Sequence, residues 1–121
     1  VAGGVGLAPL KSIVMYWQDH QTHRHIELYY GARSVEDLYD HDIFTALAAE
    51  HDNFHYYPAL SDPADDWNGD TGFIHTVMET HLEPGEAGEA YLCGPPIMIE
   101  AVTDVLQSKG IASERIWYDK F

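Results

Sequence analysis

Strand-like and helix-like segments alternate along the whole 121-residue chain, and that alternation leaves few folds open. A two-residue apolar stub, Val1–Ala2, leads into a glycine turn, and Leu10, Ile13, Val14 and Trp17 then recur at helical spacing. The spacing predicts a helix over about residues 8–18, with Pro9 in its first turn, where a missing N–H costs nothing. "HIELYYG" predicts a second strand, and "SVEDLYDHDIFTALAAEH" a turn and a helix with Phe44, Leu47 and Ala48 on one face. "FHYYPAL" predicts a third strand, at an edge because of Pro58. A turn-rich loop, "SDPADDWNGDTG", precedes a short helix, "FIHTVMETHL". "AYLC" is the fourth strand, "PPIMIEAVTDVLQSKG" a helix closed by Gly110, and "RIWYDKF" a fifth strand. Such βα repetition implies one domain with a parallel sheet and helices on both faces.

Two strand ends carry unusual punctuation. "GGVGLAP" opens the first helix, and glycines there let main-chain N–H groups approach an anion that the helix N-terminus favours. Gly3, Gly4 and Gly6 match neither the G-x-G-x-x-G dinucleotide pattern nor the Walker pattern, so a purely structural turn and a phosphate turn both stay open. "YLCGPP" repeats the geometry at the fourth strand end. In a parallel sheet both turns fall on one rim, where a ligand can meet both. Cys93, the single cysteine, has no cationic neighbour in sequence to activate it. It is read either as a small core residue or as a contact to a bound ring.

Charge narrows the partners. Twenty acidic against six basic side chains give a net −14, which excludes a nucleic-acid surface and disfavours contact with anionic membranes. One cysteine excludes an internal disulfide and any iron–sulfur cluster held by this segment alone. A reducing, cytoplasmic setting is the expectation. The full glycine turn should follow a full buried strand, so further strand residues are expected upstream in a longer parent chain.

"AGGVGLAP", "YYGAR", "ALSDP…WNGDTGFIH", "YLCGPPIMIEA" and "YDKF", in this order, resemble the nicotinamide-binding domain of ferredoxin–NADP reductase-type flavoproteins. The likeness spans essentially the whole chain. It is strongest toward NADH-dependent reductase components of multicomponent monooxygenases of the phenol, toluene or methane type. "LAAEHDNF" is also similar to the flavin subunit of sodium-pumping NADH:quinone oxidoreductases. The resemblance implies a five-stranded sheet in the order 3-2-1-4-5. It implies that Gly3, Gly4, Gly6, Leu7 and Pro9 hold the NADH pyrophosphate, that Cys93, Gly94 and Pro95 border the nicotinamide, and that Phe121 covers the flavin. Hydride would pass to FAD and electrons onward through a [2Fe–2S] cluster to an oxygenase, FAD and cluster belonging to preceding domains of the same parent. A monomer is expected. Family turns often carry Thr or Ser where Val5 stands, which removes a hydroxyl donor.

Coenzyme choice follows from charge. NADPH needs Lys or Arg beside its 2′-phosphate, near the second and third strand ends. Here Ser61, Asp62, Asp65 and Asp66 follow the third strand, with no Lys or Arg until Lys109. Carboxylates accept from ribose hydroxyls and repel a phosphate, which favours NADH. Arg33 is the one nearby cation, set over adenine, on the pyrophosphate, or on the plain surface. Ser61 and Asp62 would surround the ribose. His20, His23 and His25 lack the fixed helical spacing of a metal motif, and no metal is expected. His75 and His81 are out of phase for a shared ligand; Trp67 is expected to pin its own loop, and Met98, Ile99, Val102 and Leu106 to pack the last helix. The expected activity is therefore presentation of NADH to a flavin. A quinone-reducing parent and a nucleotide-binding module without catalysis are the alternatives.

Overall fold

A computed structural model of the chain describes residues 1–4, 7–20, 24–85 and 88–120. The elements are β1 (Ala2–Gly3), α1 (Leu7–His20), β2 (Ile26–Ala32), α2 (His41–Glu50) and β3 (Phe54–Leu60), then β4 (Asp70–Thr71), α3 (Ile74–His81), β5 (Ala90–Gly94), α4 (Pro96–Ser108) and β6 (Ile116–Lys120). The strands form one sheet in the order β4-β3-β2-β1-β5-β6, and every pairing is parallel.

Without β4 this is the order expected from the resemblance. The sheet has six strands rather than five, because Asp70–Thr71 pairs with Ala59–Leu60 inside the stretch expected to be loop. The indole N–H of Trp67 donates to the Asp70 carbonyl at 2.9 Å, and Gly72 N–H to the Leu60 carbonyl at 2.9 Å. These bonds fold the loop back onto β3. Its Asp, Asn and Gly content hides a strand this short. β3 as a whole is therefore one strand in from the edge, but β4 pairs only with Ala59 and Leu60, so Pro58 itself keeps the open edge position expected of it.

Alternation along the strands sorts side chains onto two faces. Leu28 and Tyr30 of β2, Phe54 and Leu60 of β3 and Cys93 of β5 join Leu10 and Val14 of α1 and Phe44 of α2. Tyr29, Ala59, Ala90 and Leu92 join the buried residues of α3 and α4 on the other face. Helix α4 starts with Pro96 at its first position and buries Ile99, Val102 and Leu106, as expected, together with Val105, whereas Met98 is half-buried. It stops at Gly110 (φ +94°), where Ile111 N–H reaches back to the Leu106 carbonyl at 3.1 Å. Helix α1 begins one residue earlier and runs two residues longer than its apolar spacing implied, and α2 is preceded by a separate 3-10 turn at Val35–Asp37.

Candidate functional site

Strand β1 lies at the centre of the sheet, and its end meets the end of β5. Ala2 is in register with Cys93, and Cys93 N–H donates to the Val1 carbonyl at 3.0 Å. The glycine turn after β1 and the Gly94–Pro95 turn after β5 thus leave the same rim side by side. A Cβ on Gly94 would stand 3.4 Å from the Gly3 nitrogen, so the two turns run close together. Met98, in the first turn of α4, packs against both glycines. A Cβ on Gly3 would collide with the Met98 sulfur, and one on Gly94 would come within 2.7 Å of its methyl carbon. Sequence reasoning read Met98 as helix packing alone. The proline–glycine turn directly upstream was the available clue that its side chain fills the space two glycines leave.

The turn after β1 is suited to an anion. Gly4 adopts φ +55°, is exposed, and has open space where a Cβ would point. Main chain can therefore approach a ligand there without a side chain between them. Helices α1 and α4 both present N-termini on this rim, and neither has an acidic side chain in its first turn. Leu7 is buried, so it anchors the helix start by packing, whereas Pro9 and Pro95 are exposed. Lys11 is engaged by Asp40 at 3.0 Å. The donors available to an anion here are main-chain groups. Gly6 and Val5 lie outside the described residues, as does Phe121.

Tyr30 is a support that the sequence did not disclose. It is fully buried, yet its hydroxyl accepts from Tyr39 N–H at 3.1 Å. The same hydroxyl has the Asp37 carbonyl at 3.2 Å and the Gly4 carbonyl at 3.5 Å within reach of its proton. One phenol thus ties the glycine turn to the β2–α2 connection. Burial pushes its pKa up, partly countered by the Tyr39 amide.

The ends of β2 and β3 form the neighbouring stretch of rim. Ser61 N–H donates to the Ala32 carbonyl at 3.0 Å and Asp62 N–H to the Arg33 carbonyl at 2.9 Å, so Arg33, Ser61 and Asp62 come together. The Arg33 guanidinium lies 3.9 Å from the Asp62 carboxylate, and both side chains are about 80% exposed. Such a pair contributes little by itself and is open to exchange for a ligand. Asp65 and Asp66 are exposed just beyond. Trp67 pins its own loop, as expected, and a Cβ on Gly69 would collide with its ring.

Cys93 is 2% exposed and belongs to the core on the α1 side. Burial, and then the Asp119 carboxylate, push its thiol above the ordinary range, the reverse of an activated nucleophile. His20 bonds and stacks on Tyr16, and His25 meets Glu27 at 3.2 Å. His23 lies outside the described residues. His81 pairs with Asp70 at 2.9 Å whereas His75 stacks on Phe73, so those two serve different neighbours. Among the described residues no group of three or more His, Cys, Asp or Glu could hold a metal ion, and no helix is long and apolar enough to cross a membrane.

The family described as "Oxidoreductase NAD-binding domain" matches residues 1–104. A component of the Na(+)-translocating NADH-quinone reductase of Idiomarina loihiensis is 41% identical over 128 residues, covering 100% of this chain and 31% of that protein. The chain therefore spans about a third of the length of the curated relatives it matches. Among solved structures, the Amycolatopsis cytochrome P450 reductase GcoB superposes with a TM-score of 0.88 at 35% identity, over 99% of this chain and 36% of that one. The ferredoxin reductase in carbazole 1,9a-dioxygenase superposes at 0.80 with 28% identity, over 99% and 36%.

Proposed function

The chain belongs to the oxidoreductase NAD-binding domain family, of the ferredoxin-reductase kind, and from that premise we propose that it holds NADH across its two rim turns and presents the nicotinamide to a flavin. The observation that carries this reading is the side-by-side exit of the β1 and β5 turns, set by the Ala2–Cys93 register and the Cys93 N–H bond to the Val1 carbonyl, with the Met98 side chain close to both Gly3 and Gly94. Main-chain donors at Gly3, Gly4 and the first turn of α1 would meet the diphosphate. Cys93, Gly94 and Pro95 would border the nicotinamide, with the Cys93 thiol contributing shape rather than reactivity. Ser61 and Asp62 would accept from the adenosine ribose hydroxyls, and Arg33 would lie against the adenine or the diphosphate. Gly6 would extend the diphosphate turn, and Phe121 would cover the flavin.

NADH supplies the hydride, and FAD in a preceding domain of the parent would receive it. This chain's residues need only bind and orient, because hydride transfer depends mainly on placing the donor carbon over its acceptor. Electrons would then leave singly through an iron–sulfur centre in another domain, since one buried cysteine cannot hold a cluster. Identity of 41% with the NADH-quinone reductase component supports a quinone-directed parent. The structural likeness to GcoB, at 35% identity, supports the second reading, a reductase that feeds an oxygenase.

Calorimetric titration of the purified chain tests the coenzyme assignment. NADH is expected to bind one to one, with NADPH at least about tenfold weaker, about 1.4 kcal/mol. Tighter binding of NADPH, or of neither, would overturn it.

A further inference from the structure

Asp40 is the only non-glycine residue with a positive φ among the described residues (φ 56°). It stands at the N-cap of α2, where an aspartate ordinarily has extended backbone and accepts from the first free N–H groups of the helix. Here its carboxylate caps nothing. It reaches across to α1 instead and meets the Lys11 ammonium at 3.0 Å, the two side chains being 33% and 36% exposed. A left-handed backbone and a forgone cap at one residue mark a position held for another purpose.

The pair lies beside the glycine turn. Lys11 is the fifth residue of α1, and helix side chains lean toward the N-terminus, so its stem runs back along the first turn. Asp40 follows Tyr39, whose N–H donates to the Tyr30 hydroxyl at 3.1 Å, and the same hydroxyl has the Gly4 carbonyl at 3.5 Å. Burial, and after it the charges of Tyr39, Asp40 and Asp37, push the Tyr30 pKa up, so the Asp40 charge is felt at the oxygen that reaches the turn. The other cations serve other places. Arg24 pairs with Glu89 where β2 and β5 begin, Lys109 donates to the Glu79 carbonyl and Arg115 to the Gly88 carbonyl. Arg33 faces Asp62, and Lys120 lies over Tyr118.

We propose that Asp40 sets the strength of coenzyme binding by withholding Lys11 from the diphosphate. The inference rests on the coenzyme reading and deepens it: the turn grips with main-chain amides because the lysine of α1 is already paired. A diphosphate brought to Gly4 and the start of α1 meets a neutral ion pair rather than a free ammonium. Removing the carboxylate frees the ammonium to swing to the diphosphate as a charge-assisted donor. Removing the ammonium instead leaves a bare carboxylate beside the bound anion. The pair therefore holds affinity between two limits, which suits a domain that must let go of its oxidised coenzyme in every turnover.

Calorimetric titration of the chain, Asp40→Asn, Lys11→Met and the double variant tests this, each protein being titrated with NADH and with inorganic pyrophosphate. Asparagine is the isosteric choice and tolerates the left-handed region. Asp40→Asn is expected to bind both probes about three- to fivefold tighter, the scale of one partly exposed ion pair. That gain should shrink as salt is raised. Lys11→Met should weaken both probes by a similar factor, and the double variant should return to within about twofold of the unaltered chain. If Lys11→Met does not fold, Lys11→Gln replaces it in both proteins. A gain that survives in the double variant, or no gain with either probe, would overturn the proposal. If pyrophosphate follows the series while NADH binds none of the proteins, the coenzyme reading fails and the hold of Asp40 on Lys11 stands. If NADH binds one to one without the series, this proposal alone fails.

Discussion

The thioether of Met98 occupies the space that a side chain at Gly3 would need, and its methyl carbon does the same for Gly94. One residue of α4 thus ties the spacing of two turns that belong to different βα units. Gly3→Ala is expected to cost at most about 1 kcal/mol, because the thioether it meets is the far end of a flexible side chain that can shift aside. Met98→Ala should relieve much of that penalty, so the double variant falls short of the sum of the singles. Urea unfolding of the two singles and the double checks this. Strict additivity would mean that Met98 does not couple to the turn.

Tyr30→Phe removes a buried hydroxyl and leaves Tyr39 N–H without its partner. The expected loss is about 1–3 kcal/mol, the usual cost of a buried donor left unsatisfied. NADH affinity should fall as well, because the same hydroxyl is within reach of the Gly4 carbonyl. Parallel unfolding and titration measurements separate the two effects. Unchanged affinity in a folded variant would remove Tyr30 from the binding account.

Much of this architecture is legible in the residues themselves. The alternation of patterns led to a parallel sheet, and the glycine and proline turns marked the two strand ends that meet. What stayed hidden depends on contacts between distant segments. Strand β4 has the composition of a turn and exists because Trp67 and Leu60 hold it. The buried hydroxyl of Tyr30 looks like any other aromatic in "LYYG", and Met98 like any helix methionine, until the sheet order brings each against a glycine. The five-strand expectation failed for the first of these reasons.

Asp62→Asn should narrow coenzyme discrimination. The carboxylate stands 3.9 Å from Arg33 and, with the adenosine ribose beside it, would repel a 2′-phosphate. Its neutral isostere frees Arg33 and removes the repulsion, so NADPH affinity is expected to rise about three- to tenfold, worth about 0.7–1.4 kcal/mol. NADH should weaken slightly. Titration of both coenzymes against both proteins decides it, and an unchanged ratio would place the adenosine end elsewhere.

Stability should fall at alkaline pH. Burial raises the pKa of Cys93, Tyr30, Tyr56 and Tyr91 in the folded chain. Their folded values lie above the ordinary values of 9.0 for the thiol and 10.0 for the phenols, so the folded state keeps protons that the unfolded chain releases. The stabilisation is complete below those values and is lost as pH rises through them. Urea midpoints should drop steeply above about pH 10, with a shallower drop in Tyr56→Phe. A profile that stays flat through this range would contradict the burial of these groups.

The central claim is that two turns on one rim grip a reduced pyridine dinucleotide with main-chain amides. Amide chemical-shift mapping during an NADH titration tests it most directly. The largest shifts are expected at Gly3, Gly4, the first turn of α1 and Gly94, with Arg33 and Asp62 responding at the adenosine end. Shifts concentrated at Ile26–Tyr29 and Gly88–Tyr91, at the opposite end of the sheet, would contradict it.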